Sequence, residues 1–278
     1  LHPAAVILAA GGQSYPDLGS DGSGFRLARQ AGLEVVPPVP ALAGLVTLEE
    51  WPKTLAGIVL EHGGMRLEVK GTAGRAHAGP LLFTHKGLSG PPALNCSGEI
   101  AARLRGLSGP AGAAAAPTVP VRVCLDTRRG EEEWSRLFAE WRSRKGGRAL
   151  HNLLSGEMPR ALAVTLCGSS GARDVAAARA GKQAVAALAA ACCGLRLHIT
   201  GTEGWGRAMV TRGGVALKEL EPATLACRNV VNLFCAGEIA DLDGWCGGYN
   251  LTWAFASGRL AGRACAVSLS GAARSARV

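Results

Sequence analysis

Apolar and polar positions fall into distinct blocks along this chain, and the first block predicts a β-loop-α unit. Residues 6–10 are uniformly apolar, which predicts a short buried strand, and a pair of glycines predicts the turn that ends it. Apolar positions at helical spacing predict a helix over 22–30. Residues 33–36 predict the next strand, and the three prolines within 37–40 indicate a linker after it.

The last part of the chain returns to this alternation of strands and helices. Residues 207–220 predict two strands around a second pair of glycines. Residues 230–238 predict a buried strand that ends in a glycine and a carboxylate, and a helix is predicted over 251–266. Because buried strands that alternate with helices are typical of parallel sheets, both ends of the chain indicate an α/β fold.

The middle of the chain has a different pattern. From 45 to 83 the apolar period is that of strands, with a hairpin predicted around 62–64. A helix is predicted over 91–104 and a strand over 119–126. The segment 131–193 predicts helices, in which aromatic residues at helical spacing are expected to be core.

These patterns predict that the two ends of the chain form one discontinuous α/β domain. We expect residues 1–40 and 207–278 to form this domain, and residues 41–206 to be inserted into it. Within the insert, 41–126 is expected to be rich in β-structure and 131–193 to be helical.

Composition excludes several classes of protein. With 278 residues, of which 48% are hydrophobic and 18% charged, the chain is typical of a globular protein with a substantial core. Its longest apolar runs fall far short of the roughly 20 residues of a membrane-spanning helix, so no membrane partner is expected. The nine cysteines form no CxxC pair, and we interpret them as reduced thiols of a cytoplasmic protein without a metal site.

The net charge of +9 raises the question of nucleic-acid binding. Basic residues outnumber acidic ones between 103 and 148. The aromatic residues are not interleaved with these arginines, however, as a surface that stacks bases requires. We therefore expect a solvated, arginine-rich face and no nucleic-acid partner, and a basic nucleic-acid-binding module is kept as an alternative function.

Three turns that contain glycine carry the candidate chemistry. Gly11-Gly12 and Gly237-Glu238 follow the two buried strands, and ligands of open α/β sheets bind at the carboxyl edge of such strands. The pair at 247–248 precedes a helix, whose first N–H groups and positive dipole end favour a phosphate or a reduced, negatively charged ring. Singly, each glycine pair is more typical of a tight turn. The alternative for Glu238 is a cap of the next turn.

Four segments, taken in order, resemble one known family. They read VILAAGGQSYPDLGSDGSGFRLARQAG, LLFTHKGLSGPPALNCS, MVTRGGVALKEL and LFCAGEIADLDGWCGGYNLTWAFASGRLAG. These segments are similar to those of the YhiN/BaiN-type (HI0933-type) flavoproteins, which are aminoacetone-oxidase-like NAD(P)/FAD-dependent oxidoreductases. The resemblance covers nearly the whole chain and is weakest over 105–195.

The resemblance implies a fold, a cofactor and a set of cofactor contacts. The implied fold is an FAD-binding, Rossmann-like domain of the two-dinucleotide-binding type, interrupted by an insert of β-barrel and helical pieces. The implied cofactor is FAD, with NAD(P)H as a candidate electron donor and a small organic molecule as substrate. The implied contacts are Gly11 and Gly12 near the dinucleotide, Gly237 and Glu238 near the ribityl and pyrophosphate groups, and Gly247, Gly248, Tyr249, Asn250 and Leu251 under the flavin ring.

Substrate is expected where the insert meets the flavin domain. This expectation makes His85, Lys86, Ser89 and Arg212 candidates for direct chemistry. A purely structural role in turns is the alternative for each of them, and no catalytic residue is assigned.

One departure from the family pattern is large. Such proteins begin with a strand, a GxGxxG turn and a helix, and neither 19–24 nor 201–206 has the required spacing after a strand. We therefore expect the sequence to be a truncated portion of the flavoprotein, and an inactive flavoprotein fragment is a further alternative function. Smaller departures are Ala10, Cys246 and Thr252.

Overall fold

The computed structural model describes residues 3–69, 72–107 and 116–275. The strands of this described part are β1 Val6–Leu8, β2 Val35–Ala41, β3 Leu45–Thr47, β4 Val59–Leu60, β5 Gly64–Val69, β6 Thr72–Ala73, β7 His77–Ala78, β8 Leu81–Phe83, β9 Gly87–Ser89, β10 Val119–Cys124, β11 Leu195–Thr202, β12 Val210–Val215 and β13 Leu233–Cys235. The α-helices are α1 Ser23–Gln30, α2 Pro91–Leu107, α3 Glu131–Arg144, α4 Leu150–Leu154, α5 Arg160–Ser169, α6 Lys182–Gly194 and α7 Tyr249–Ser275. Among these described helices, none combines the length and the apolar character that a membrane span requires.

Two compact units make up the chain. The first consists of Leu1–Ala43, Ser97–Ala102 and Glu203–Val278, and the second of Gly44–Cys96 and Arg103–Thr202. The first unit thus gathers two distant ends of the sequence. It also includes a short piece of α2, which no pattern in the sequence indicates.

The first unit contains a pair of parallel strands. In β1 and β13, Val6 lies opposite Leu233, and Leu8 lies opposite Cys235. The pairing continues one step further, since the Ala236 N–H donates to the Leu8 carbonyl at 3.1 Å. Because the strands are parallel, their carboxyl ends and the turns that follow lie at the same edge.

An antiparallel ribbon of β2 and β12 completes the strands of this unit. The linker expected within 37–40 is wrong, because β2 continues through its prolines. A strand with only one paired neighbour tolerates prolines, since the N–H groups of its other edge have no strand partner. The two strands expected around Gly213 are also wrong. A single strand, β12, passes through both glycines, and a Cβ on Gly213 would lie 2.7 Å from the Pro37 carbonyl oxygen.

The core of the first unit lies between α1 and the strands. Phe25 and Ala28 of α1 are buried together with Cys235, Ile239 and other apolar residues. Burial of one large side chain of this kind contributes roughly 1.5–3 kcal/mol. The apolar spacing that predicted α1 therefore also identified the face that it buries.

The second unit is built on an antiparallel sheet. Its strands follow the order β4-β8-β9-β3-β11-β10-β5-β6, and β7 pairs with β5. The hairpin expected around 62–64 is wrong, because β4 pairs with β8 and β5 pairs with β10. These long-range pairings bury Leu60 and Met65, and they outweigh the turn propensity of the glycines. Closure of this sheet into a barrel stays a prediction.

Helices accompany the sheet in the second unit. Within the segment expected to be helical lie α3, α4, α5 and nearly all of α6. Trp134, Phe138 and Trp141 of α3 are almost completely buried, which confirms their expected place in the core. The strand β11, by contrast, comes from a segment that the sequence patterns left unassigned.

Candidate functional site

The turns after β1 and β13 lie side by side at the carboxyl edge of the parallel strands. Gly11 and Gly237 have φ angles of 71° and 76°, in the left-handed region that favours glycine. A Cβ at either position would meet no atom within 4 Å. The backbone of both turns is therefore open to close approach by a ligand.

Glu238 joins these turns to β12. Its Oε1 accepts hydrogen bonds from the Thr211 N–H at 2.6 Å and from the Ser14 hydroxyl at 3.3 Å. The Thr211 hydroxyl in turn accepts the Gln13 N–H at 2.7 Å. The alternative expected for Glu238, a cap of the next turn, stays a prediction. Within the described residues, its Oε2 has no hydrogen-bond partner.

Gly12 is buried inside this network. A Cβ at this position would collide with the Thr211 hydroxyl and with the Glu238 carboxylate. The absence of a side chain at Gly12 therefore lets Glu238 and Thr211 reach one another. A cofactor contact by Gly12 stays a prediction.

Two side chains of α7 hold the turn at Gly237. The Gly237 N–H donates to the Ser257 hydroxyl at 2.8 Å, and the Trp253 indole N–H donates to the Gly237 carbonyl at 3.0 Å. The Ser257 hydroxyl also donates to the Trp253 carbonyl, 2.6 Å away. The first turns of α7 are thereby fixed to the carboxyl edge of the sheet. The Gly237 N–H itself is used by this contact and is not a spare donor.

The start of α7 combines positive-φ glycines with exposed apolar side chains. Gly247 and Gly248 have φ angles of 129° and 89°, and a Cβ on Gly248 would meet no atom within 4 Å. Tyr249 is 59% exposed and Leu251 67% exposed. The Asn250 side chain, which was expected under the flavin, bonds the backbone of Gly244 through both its oxygen and its nitrogen. It therefore shapes the loop from which α7 emerges.

Arg212 lies near the same loop and is paired with Asp243. Its Nη1 lies 3.2 Å from Asp243 Oδ1 and 3.4 Å from Oδ2. Burial raises the pKa of the Asp243 carboxyl, and the adjacent guanidinium opposes this effect. A Cβ on Gly98 of α2 would lie 3.1 Å from Arg212 Cδ, so the small residue leaves room for this side chain.

The other substrate candidates belong to the second unit. His85 and Lys86 form the turn between β8 and β9, which is closed by a bond from the Thr84 N–H to the Gly87 carbonyl at 2.8 Å. Ser89 is the last residue of β9. Their expected role at the substrate stays a prediction.

Sequence patterns missed several residues of this site. Thr211 and Ser14 were overlooked because single hydroxyl residues beside glycines carry no spacing signal. No sequence pattern singled out Ser257, which lies within the helix predicted over 251–266. Asp243 had one usable signal, namely a carboxylate between two apolar segments of a loop, but its partner Arg212 is 31 residues away.

The geometry of the first unit defines a Rossmann-like α/β domain with a candidate ligand site at the carboxyl edge of its parallel strands. The chain belongs to the HI0933-like family, since residues 1–264 match the HI0933-like protein Rossmann domain. This match confirms the family resemblance and the Rossmann-like fold class that the sequence motifs predicted.

Three curated proteins are similar to this chain. The ribosomal RNA dihydrouridine synthase of Escherichia coli K12 is 32% identical over 91% of this chain and 58% of its own length. The 3-dehydro-bile acid delta(4,6)-reductase of Clostridium scindens is 35% identical over 94% of this chain and 62% of its own length. The ribosomal RNA dihydrouridine synthase of Haemophilus influenzae is 32% identical over 95% of this chain and 60% of its own length. The chain thus spans about three fifths of the length of these relatives.

Proposed function

We propose that the protein is an FAD-dependent oxidoreductase whose first unit holds the flavin. The observation that carries this proposal is the junction of the turns at 11–12 and 237–238 with α7, in a chain of the HI0933-like family. Open left-handed glycines allow a cofactor to lie against the backbone. The exposed Tyr249 and Leu251 offer apolar surface to a ring system.

The residues of this junction fit the parts of FAD. Gly11, Gly237 and Gly248 leave space beside the backbone. The Oε2 atom of Glu238 is available to accept a hydrogen bond from a sugar or ribityl hydroxyl. The first N–H groups of α7 favour negative charge at its N-terminus. When bound, FAD supplies a carrier for hydride transfer, and the protein supplies orientation and electrostatics.

The names of the relatives support a narrower reaction class. A dihydrouridine synthase saturates a ring double bond of uridine, and a delta(4,6)-reductase acts on double bonds at positions 4 and 6 of its substrate. In both compounds the double bond is conjugated to a carbonyl. We propose for this chain the addition of a hydride and a proton across such a bond, with NAD(P)H as the electron donor. The named substrates are ribosomal RNA and a bile acid, so the reaction rather than the substrate is shared.

Arg212 has the chemistry that this reaction needs from the protein. Addition of hydride to a conjugated double bond places negative charge on the carbonyl oxygen, and a fixed cationic donor stabilises that charge. We assign this role to Arg212, which stays 43% exposed while Asp243 holds one end of its guanidinium. Asp243 acts as a positioning residue because it touches Arg212 and fixes its direction.

Flavin binding tests the proposal with a matched pair of variants. Leu251→Asp places a negative charge at the start of α7. The control, Val231→Asp, places the same charge at an 88% exposed position just before β13, at the end of the strand opposite to its carboxyl end. We expect the wild-type chain and Val231→Asp to retain FAD through gel filtration, with the flavin absorption spectrum. Leu251→Asp is expected to lose it at unchanged stability.

Enzyme activity gives the second measurement. Oxidation of NADPH in the presence of FAD is followed with a conjugated enone steroid or a uridine-containing oligonucleotide as acceptor. Failure of the wild-type chain to take up FAD contradicts the proposal. Equal FAD retention by Leu251→Asp and the wild type refutes the placement of the flavin at α7.

A further inference from the structure

Three arginines form a row across the sheet of the second unit. Arg122 of β10 lies in register opposite Arg66 of β5 on one side and opposite Arg196 of β11 on the other. Residues that lie directly opposite in neighbouring strands point to the same face of the sheet. The flanking Val121 and Val123 are fully buried, so the arginines share the outer face.

Positive charges outnumber negative charges in this row of arginines. Glu68 of β5 pairs with two of the arginines, with its Oε1 3.2 Å from Arg122 Nη2 and its Oε2 2.7 Å from Arg196 Nε. Within the described part of the chain, Arg66 has no ion-pair partner. Like charges directly opposite in a sheet are destabilising. Three guanidinium groups with one shared carboxylate therefore leave positive charge that a bound anion would neutralise.

A groove opens at one end of the row. It has a volume of about 250 Å³, and Arg66, Arg122, His77 and Thr127 are polar residues of its wall. No residue that the structure describes in this wall is acidic. Pockets for drug-sized ligands span roughly 300–1,000 Å³. This groove is therefore suited to a single small group rather than to a whole cofactor.

We propose that the groove binds a phosphate group, with Arg66 as its cationic ligand. Arg122 adds positive charge beside it, while its Nη1 donates to the Gly194 carbonyl at 3.0 Å and its Nη2 to Glu68 Oε1 at 3.2 Å. The planar fork of guanidinium N–H groups matches the oxygens of a phosphate, and these charge-assisted bonds are stronger than neutral ones. The phosphate belongs either to the backbone of an RNA or to a free anion, and the same chemistry serves both. The proposal does not depend on flavin binding by the first unit.

This site lies outside the pattern that argued against nucleic acid. That expectation considered the basic residues between 103 and 148 and the lack of interleaved aromatic residues. Arg66 and Arg196 fall outside this window, and only strand pairing brings them beside Arg122. Recognition of phosphate also requires no base stacking, since backbone contacts are independent of sequence.

The test compares the full 278-residue chain with Arg66→Gln and with Arg136→Gln. Arg136 is an exposed arginine of α3 that does not line the groove, so its substitution controls for net charge. One probe is inorganic phosphate, followed by calorimetric titration. The other is a fluorescent single-stranded RNA, whose affinity is measured over a series of salt concentrations.

We expect Arg66→Gln to weaken phosphate binding about tenfold, because one charge-assisted contact is lost. If the phosphate is that of RNA, the slope of log affinity against log salt also falls by about 1. Arg136→Gln is expected to change neither value. Arg66→Lys, which keeps the charge, is expected to restore part of the affinity, and circular dichroism checks that each variant is folded.

The results distinguish a free anion from an RNA backbone as the source of the phosphate, and they support or overturn the proposal. An effect of Arg66→Gln on phosphate alone supports a free anion as the ligand, and an effect on both probes supports an RNA backbone. Equal behaviour of Arg66→Gln, Arg136→Gln and the wild type towards both probes overturns the proposal. A wild-type chain that binds neither probe overturns it as well.

Discussion

The side chain of Asn250 bonds both backbone groups of Gly244. The Gly244 N–H donates to Asn250 Oδ1 at 2.8 Å, and Asn250 Nδ2 donates to the Gly244 carbonyl at 2.9 Å. A Cβ on Gly244 would lie 2.7 Å from the Cβ of Tyr249, so this approach requires glycine. The loop before α7 is thus closed by a side chain from the first turn of the helix that it precedes.

Removal of this clamp should destabilise the first unit. For Asn250→Ala we expect the free energy of unfolding to fall by about 1–2 kcal/mol, since two hydrogen bonds worth about 0.5–1.5 kcal/mol each are lost. Urea titration measures the change. Asn152→Ala, at an exposed position of α4, is the control and should leave the stability unchanged. Equal stability of Asn250→Ala and the wild type would show that the clamp contributes nothing.

The two glycines after β1 should respond differently to alanine. Gly12→Ala would bring a methyl group against Thr211 and Glu238, and overpacking of this kind costs about 1–3 kcal/mol. Gly11→Ala meets open space, and its cost of about 1 kcal/mol comes from the left-handed backbone alone. Denaturation of both variants should therefore rank Gly12→Ala as the less stable. The reverse order contradicts the packing described for Gly12.

Local apolar runs were sufficient to predict the framework of the first unit. The strands β1 and β13 and the helix α1 were found from continuous or periodic apolar runs. The expected burial of β1 is wrong, however, because Val6 is 45% exposed and Ile7 39% exposed within the described residues. The place of Pro37 and Pro38 within a strand was not predictable in this way, because it depends on whether β2 has a paired strand on one edge or on both. Such information lies in the pairing with β12, about 170 residues away in the sequence.

The same limit applies to the candidate site: local features were predictable from the sequence, whereas bonds between distant segments were not. The glycines at 11, 237 and 248 were found from sequence, since the absence of a side chain after a strand or before a helix is a local signal. The bonds that Glu238 and Asn250 make were not, because a carboxylate or an amide can serve a ligand or the backbone equally well. Only the positions of Thr211 and Gly244 decide between these roles.

The stability of the second unit should depend on the ionisation of Asp126. Its carboxylate accepts two bonds from the Arg128 guanidinium, at 2.8 and 2.9 Å, and these bonds lower the pKa of Asp126. A carboxyl whose pKa is lower in the folded state stabilises the fold above its unfolded pKa of about 3.9, and this contribution is lost as the pH falls through the folded value.

Asp126→Asn should therefore be less stable than the wild type at neutral pH, by about 1 kcal/mol because Arg128 is largely exposed. The difference should stay constant between about pH 7 and pH 5 and shrink below about pH 4. Denaturant titrations over this range measure it. Asp17→Asn, at an exposed position outside this ion pair, controls for the loss of one negative charge. A difference between Asp126→Asn and the wild type that does not change with pH contradicts the role of this ion pair.

The hydroxyl of Ser257 should matter more than any exposed hydroxyl on the same helix. It is 1% exposed and is the acceptor for the Gly237 N–H, so Ser257→Ala leaves a partly buried donor without a partner. Such a loss costs about 1–3 kcal/mol.

Ser268→Ala is a matched control, because the Ser268 hydroxyl also donates to a carbonyl of α7, that of Cys265, but is exposed to solvent. We expect Ser257→Ala to lower the unfolding free energy by at least 1 kcal/mol, and Ser268→Ala to change it by less than about 0.5 kcal/mol. Since Ser257 holds the turn at Gly237, Ser257→Ala should also weaken FAD retention. Equal losses of unfolding free energy in both variants would place the effect in the helix rather than at the turn.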